Sequence, residues 1–415
     1  MHSLQISSSI LDLANEAEKV LAPTFAKIDK ICLQNSAKVL ASLHSVNLSA
    51  TDFSETTGYG YFDNGRDKLE KVYCQIFHTE DALVRPQIMS GTHALAITFF
   101  GLLKHGDTFL SITGEPYDSL KGVIGITGDS HNSLRAHGIH FDQIDLKNDD
   151  FDADAITKYL KSHEVRLVEI QRSRGYSDRL SLSVEKIGKV TKLIKEISPD
   201  TIIMVDNCYG DLVETQEPTD VGADVLVGSL LKNLGAGQAK TGGYIVGKKE
   251  YITDVAERFS APCVGKDIGA NLNQLLPLFK GIYSAPSVVC ASLKTAIFAS
   301  YMLEKLGYTV SPRYTDPRAD IVQTVRLGSA EKLIEFCRGI QRGVAIESFV
   351  TLMPSEMPGY PHEEIMASGS FVSGSTIELS CDGPIRPPFT AFMQGSLTYE
   401  YGKLGIMIAL SHLTK

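Results

Sequence analysis

At 415 residues the chain is too long for one ordinary hydrophobic core and suits a large domain with a smaller one beside it. Its 43% hydrophobic and 21% charged residues are the composition of a folded globular protein, which excludes disorder. A formal net charge of -9 without any basic run gives no electrostatic case for nucleic acid, which drops out as a partner.

The N-terminus, MHSLQISSSILDLANEAEKVLAP, has no basic n-region and soon turns acidic, which argues against a secretory signal. Residues 1–50 read as a helical arm, because Ile10, Leu13, Ala14 and Ala17 recur at helical spacing. Asn47-Leu48-Ser49 matches a glycosylation sequon, incidental without export. The seven cysteines are scattered, with no C-x-x-C pair, so neither a disulfide framework nor a metal site is expected, and a cytoplasmic location follows. The longest apolar run near a helical pattern, Ala94 to Leu103, falls well short of the roughly 20 residues that cross a bilayer, so no membrane contact is expected.

Residues 51–284 read as a large α/β domain. DALVRPQIM precedes GTHALAITFFGLL, DTFLSI precedes DSLKGVIGI, and VRLVEIQ precedes SVEKIGKVTKLIKEI, followed by TIIMVDN, ADVLVGS and GGYIVG. Strand and helix alternating in this way imply a mostly parallel sheet with helices on both faces, whose ligands bind at the carboxyl ends of the strands. Residues 285–415 read as a smaller α+β domain, with its boundary near KGIYSAP: a long helix in SLKTAIFASYMLEKLGY, another from Ser329 to Ile340, then strand-like SFVTLMP and STIELS. There is no internal repeat.

Several common motifs fail. GAGQAK (Gly235 to Lys240) lacks the third glycine of a dinucleotide fingerprint and leads into a strand. No G-x-x-x-x-G-K-[ST] and no G-x-S-x-G is present, and HEEIM from His362 lacks the second histidine of a zincin.

Asp206 ends the strand TIIMVD, and Lys232 follows the next strand, ADVLVGS, so an acid and an amine share the ligand edge of the sheet. Pyridoxal 5'-phosphate needs that pair: a lysine for its aldehyde and a carboxylate to keep its ring nitrogen protonated. Ser90, Gly91 and Thr92 stand between a strand and an apolar helix, where backbone amides and the helix dipole favour a phosphate, and Gly91 lets the backbone approach. Ser229 is a further donor, and Tyr117 in GEPYDSL is placed to stack on the ring. Each piece alone has an ordinary reading: a strand-end lysine is usually a solvated cation, and Ser-Gly-Thr before a helix is usually an N-cap. Together they arrive in the chain order that one cofactor requires.

From residue 50 onward the sequence resembles the methionine gamma-lyase-like, or aluminium-resistance, branch of the pyridoxal-phosphate fold-type I enzymes of cysteine and methionine metabolism. The resemblance rests on GYGYFDNGRDKLE, TEDALVRPQIMSGTHAL, IQRSRGYSDRLSL, VDNCYGDLVE, GADVLVGSLLKN, TGGYIVG, IELSCDGPIR and QGSLTYEYGKLGI. It implies an aminotransferase-like fold type I, with Lys232 bonded to the cofactor aldehyde, Asp206 on the pyridine nitrogen, and Gly91, Thr92 and Ser229 on the phosphate. Tyr117 would stack, and Arg386 in DGPIR would bind the substrate carboxylate with its guanidinium fork. It further implies a homodimer or homotetramer with shared active sites, in which Tyr59 reaches the neighbour's phosphate. Relatives usually place an arginine two positions later, where this chain has Tyr61, and Arg66 is the possible substitute. The segment NLGAG after Lys232 departs from the branch's glycine-rich form. QRSRGY leaves Gln171, Arg172 and Ser173 as alternatives for the group that meets the cofactor's phenolic oxygen.

The activity implied is carbon-sulfur lysis of cystathionine, methionine, cysteine or a similar amino acid, of the cystathionine beta-lyase or methionine gamma-lyase type. Lys232, its pKa lowered by the site, is expected to take the alpha proton. Beta- and gamma-elimination begin with the same proton abstraction and are not separated by these residues. Transamination or racemisation with the same cofactor, and a low-turnover regulatory or resistance protein that only binds it, stay open.

Overall fold

The computed structural model describes residues 4–59, 63–357, 360 and 362–414. In chain order the elements are α1 (Ser8–Ser45), α2 (Asn64–Ile76), β1 (Asp81–Arg85), α3 (Gly91–Leu102), β2 (Thr108–Ser111), α4 (Asp118–Ile124), β3 (His140–Gln143), α5 (Ala153–Leu160), β4 (Leu167–Gln171), α6 (Val184–Ile197), β5 (Ile202–Asp206), β6 (Val225–Ser229), β7 (Gly243–Gly247) and α7 (Lys249–Phe259). There follow α8 (Leu275–Lys305), β8 (Thr309–Ser311), β9 (Gln323–Arg326), α9 (Ala330–Gly343), β10 (Glu364–Ser368), β11 (Ser380–Pro384), β12 (Thr390–Gln394) and α10 (Tyr399–Leu413).

The first sheet has the order β1-β7-β6-β5-β4-β2-β3; β6, β5, β4, β2 and β3 run parallel, and β7 is antiparallel to both of its neighbours. Every residue of β4, β5, β6 and β7 is buried, as expected of strands covered on both faces. One face packs Met204, Val225, Val227 and Ile245 against α3 and α7; the other packs Val168, Ile203, Val205 and Val246 into the core shared with α2, α6 and α8. The second sheet, β10-β11-β12-β9-β8, is wholly antiparallel, with α9 and α8 against it and α10 packed on those two helices. The expected α/β fold with a mostly parallel sheet and a separate α+β part is therefore what the chain adopts.

Three local expectations change. The boundary expected between residues 284 and 285 falls inside α8, a continuous helix of about 45 Å that includes Pro286 and packs on β8, β9, α10 and α1. The change of texture there marks where the helix becomes fully buried, not a linker. By length and composition α8 also suffices to cross a bilayer, which the run Ala94 to Leu103 did not reveal, but 78% of its most apolar window is buried inside the protein. SFVTLMP is not a strand, since Phe349 and Met353 are exposed and only Ser355 bridges to Glu364. STIELS contributes only its last residue, Ser380, to β11. The N-terminal arm is one 38-residue helix whose Ile10, Ala14, Ala17, Leu21, Phe25 and Ile28 are buried at helical spacing.

A buried ion pair ties α2 to β1. The Glu70 carboxylate accepts from the Arg85 guanidinium and from the Val84 amide at 3.1 Å, with side chains 6% and 1% exposed. Removing one partner strands the other charge in the interior, so Glu70→Ala is expected to cost about 3 to 5 kcal/mol in urea unfolding. Removing the exposed Lys189–Glu185 pair should leave the midpoint unchanged.

Candidate active site

Parallel strands bring their carboxyl ends to one edge. Gln171 lies in register with Asp206, and Asp206 with Val227, so Ser229 stands two residues beyond. The edge opens into a cavity of about 650 Å³, within the usual range for small-ligand sites. Ser90, Gly91, Thr92, Tyr117, Asp206, Ser229 and Lys232 all line it, and Arg386 lines its exposed rim.

Ser90 is the N-cap of α3, its hydroxyl accepting from the His93 amide at 3.1 Å; the amides of Gly91 and Thr92, having no carbonyl a turn earlier, are left for an anion. A Cβ at Gly91 would stand 3.3 Å from Cys208 Sγ and 3.5 Å from Ser229 Cβ, so a side chain there would press on the strand ends that glycine leaves free. The Thr92 hydroxyl lies 3.1 Å from the Tyr117 hydroxyl and 3.0 Å from that of Ser119. The loop carrying Tyr117 is fixed from β4, where Gln171 Oε1 accepts from the Tyr117 amide at 3.1 Å. Burial and the nearby Asp206 push the Tyr117 phenol well above the usual range, so it is a neutral donor.

Asp206 is 5% exposed, and its Oδ1 accepts from the Cys208 amide at 3.0 Å. Lys232 Nζ lies 4.0 Å from the centroid of the Tyr209 ring, a cation–π contact. Burial works against the Lys232 charge, but Cys208, Tyr209, Asp206 and Tyr117 more than offset it, and its pKa is raised. In the protein alone the groups gathered around Nζ favour the ammonium; the lowered pKa expected above concerns the lysine freed beside a bound cofactor. Cys208 and Tyr209 are not among the residues singled out from the sequence, although they follow Asp206 by two and three positions in VDNCYG; the signal is their closeness to an acid at a strand end.

Other candidates separate. Arg172 is fully buried and turned away, donating to Asn207 Oδ1 at 2.7 Å and Glu214 Oε1 at 2.8 Å. Ser173 donates to Asp320 Oδ2 at 2.7 Å, and Gln171 Nε2 to the Ser173 carbonyl at 3.0 Å, so of the three only Gln171 and Ser173 line the cavity. Arg66 is buried outside the cavity, held by Asp67 and the Asp267 carbonyl. Tyr59 is 85% exposed and does not line the cavity. Tyr61 lies outside the described residues. Among the described residues, no cluster suited to a metal ion occurs.

Glu169, deep in β4 in register with Ser111, is pushed up to about 7 by burial; the Ser111 hydroxyl opposes the shift and Asp206 adds to it. A raised carboxyl contributes its stability fully below the unfolded value near 4.5 and loses it as pH climbs through about 7. Glu169→Gln is therefore expected to stabilise the protein by about 2 to 3 kcal/mol at pH 8 and hardly at all at pH 4.5. Urea unfolding at the two pH values checks the sign.

The residues fit pyridoxal 5'-phosphate: a glycine-seated helix end with hydroxyls for a phosphate, a buried carboxylate, an amine, and aromatic faces. The family model described as methionine gamma-lyase matches residues 10–414. A protein of Bacillus subtilis, YnbB, itself uncharacterised, is 44% identical over 402 residues, covering 96% of this chain and 95% of its own. The crystal structure of a carbon-sulfur lyase involved in aluminium resistance from Clostridium novyi is 43% identical, with a TM-score of 0.95, covering 99% of this chain and 97% of that one. A Listeria monocytogenes protein provisionally named cystathionine beta-lyase involved in aluminium resistance is 41% identical at the same TM-score, covering 97% of this chain and all of its own.

Proposed function

Because the chain belongs to the methionine gamma-lyase family and has the architecture of the fold-type I enzymes, we propose that it is a carbon-sulfur lyase that uses pyridoxal 5'-phosphate to act on a sulfur-containing amino acid. The observation that supports this best is the convergence of Lys232, Asp206 and the glycine-seated N-terminus of α3 on one cavity.

In this reading the amides of Gly91 and Thr92, with the hydroxyls of Ser90, Thr92 and Ser229, hold the cofactor's phosphate. Asp206, fixed by the Cys208 amide, presents its second oxygen as the negative partner of the pyridine nitrogen. Tyr117 and Tyr209 offer aromatic faces, and Arg386 meets a substrate carboxylate at the rim. When bound, the cofactor supplies an aldehyde that reacts with amines and a ring that stabilises negative charge at the substrate's alpha carbon. Lys232 Nζ is the group that takes the alpha proton, and it does so as a neutral amine. Breakage of the carbon-sulfur bond with uptake of water yields a thiol, a keto acid and ammonia.

The decisive assay measures thiol and keto acid across cystathionine, cysteine, homocysteine and methionine. Joint release of both products is expected from at least one of them. Amino-group exchange without thiol release would replace the lyase with a transaminase, and binding without turnover would leave a regulatory protein. A homodimer or homotetramer with shared sites belongs to the same proposal. Tyr59, exposed and outside its own cavity, would serve the neighbour's phosphate. Light scattering is expected to return two or four times 45.2 kDa, and Tyr59→Phe should weaken cofactor retention about tenfold. A cytoplasmic location accords with the seven free cysteines.

A further inference from the structure

Besides Arg386, two guanidinium side chains from the segment after β4, Arg174 and Arg179, line the cavity. Three residues past Gln171, Arg174 lines the cavity, yet only 1% of it is exposed. Its Nη1 donates to Ser311 Oγ and Thr324 Oγ1 and its Nη2 to the same Ser311 Oγ, each at 3.2 Å. Nε has no partner among the described residues. All its acceptors are neutral hydroxyls at long range.

Other buried arginines of this chain are treated differently. Arg85 has Glu70, and Arg172 has Glu214 at 2.8 Å with Glu217 close by. No described carboxylate stands within ion-pair distance of Arg174. Asp320, whose charge reaches it most strongly, accepts instead from Ser173 Oγ at 2.7 Å and the Val322 amide at 3.1 Å. Its cationic neighbours are held by neutral acceptors, Arg179 by the carbonyls of Gln171 and Ser173 and Arg318 by the Gln323 side chain and the Val322 carbonyl, and so add to the positive charge there. A guanidinium does not shed its proton to escape burial, so this charge is unfavourable until an anion completes it.

We propose that Arg174 is a receptor for a carboxylate of the amino-acid substrate, which would complete a guanidinium that has only neutral acceptors and an unpartnered Nε. The identity of that substrate rests on the lyase reading; the anion site rests on the geometry alone. A planar carboxylate suits the fork, where two parallel charge-assisted bonds form. With Arg386 at the rim, the cavity then holds two guanidinium receptors, as a substrate with a carboxylate at each end requires. Arg174 takes either the alpha carboxylate or the second one, and the two differ in which substrates feel its loss.

The test uses the cofactor-loaded wild type with Arg174→Gln and Arg174→Lys. Calorimetric titration with propionate, which has a carboxylate and no amine, is expected to show binding to wild type. Affinity should fall on the order of 10- to 100-fold in R174Q, and by several-fold in R174K, which keeps the charge without the fork. In turnover, KM is expected to rise more than kcat falls. If KM rises for S-ethylcysteine and cystathionine alike, Arg174 holds the alpha carboxylate; if for cystathionine only, the second one. The proposal is overturned if propionate binds both variants as it binds wild type, or if R174Q lowers only the Tm, which would make Arg174 a tie to Ser311 and Thr324. Should R174Q not fold, an unchanged propionate affinity in R174K overturns it equally. Should no substrate release thiol, the lyase reading fails and the propionate arm still decides the role of Arg174.

Discussion

Lys232→Ala is expected to abolish turnover, lowering kcat by at least about 10³-fold, and to remove the visible, borohydride-bleachable absorbance of the bound cofactor. Both losses have one origin. Nζ provides both the covalent attachment and the base in this reading, while the other lysine of the cavity, Lys121, is held by Glu115 and Asp118. The backbone is expected to tolerate the change, since the Ala variant gives up a cation–π contact of about 1 kcal/mol and, among the described residues, no hydrogen bond holds Nζ. Absorbance spectra before and after borohydride, with a thermal melt as control, separate chemistry from folding. A variant that retained the bleachable band would remove Lys232 from the role and leave the proposed function without its central residue.

Asp206→Asn is the second large effect: kcat should fall on the order of 10²- to 10³-fold while the cofactor stays attached. Asparagine has the shape of aspartate and keeps an oxygen for the Cys208 amide, so the turn after β5 should survive. What disappears is the negative charge beneath the ring nitrogen, in a buried setting where a charge acts strongly on its neighbour. The same substitution removes one of the groups that holds Lys232 protonated, so the acid limb of the pH–rate profile should shift downward. An unchanged kcat would show that Asp206 serves only the turn. Loss of cofactor with loss of activity would show that its charge binds rather than activates.

Much of the site could be read before the fold was seen. Asp206 and Lys232 each follow a fully apolar strand, and such strands in an alternating strand–helix pattern put their ends on one edge. Gly91 stands where a strand gives way to an apolar helix, which already suggests an anion. By contrast, nothing local marks Arg174, whose meaning lies in what is absent around it: acceptors from β8 and β9, over a hundred residues away, turn out to be hydroxyls and not carboxylates. The charge preference of Lys232 in the protein alone is likewise set at a distance. Burial alone lowers a lysine, and only the assembled ring of Cys208, Tyr209, Asp206 and Tyr117 raises it.

Strand content, the parallel core and the acid–amine pair were determined by the sequence itself, because burial on both faces imposes unbroken apolar runs and a parallel sheet aligns their ends. Tertiary structure alone decided that α8 runs unbroken through the expected boundary, that SFVTLMP finds no sheet to join, and that Tyr59 turns away from its own cavity. It also left Arg174 buried without a counter-ion. In each case the deciding interactions come from residues distant in the chain, and local propensity carries no record of them.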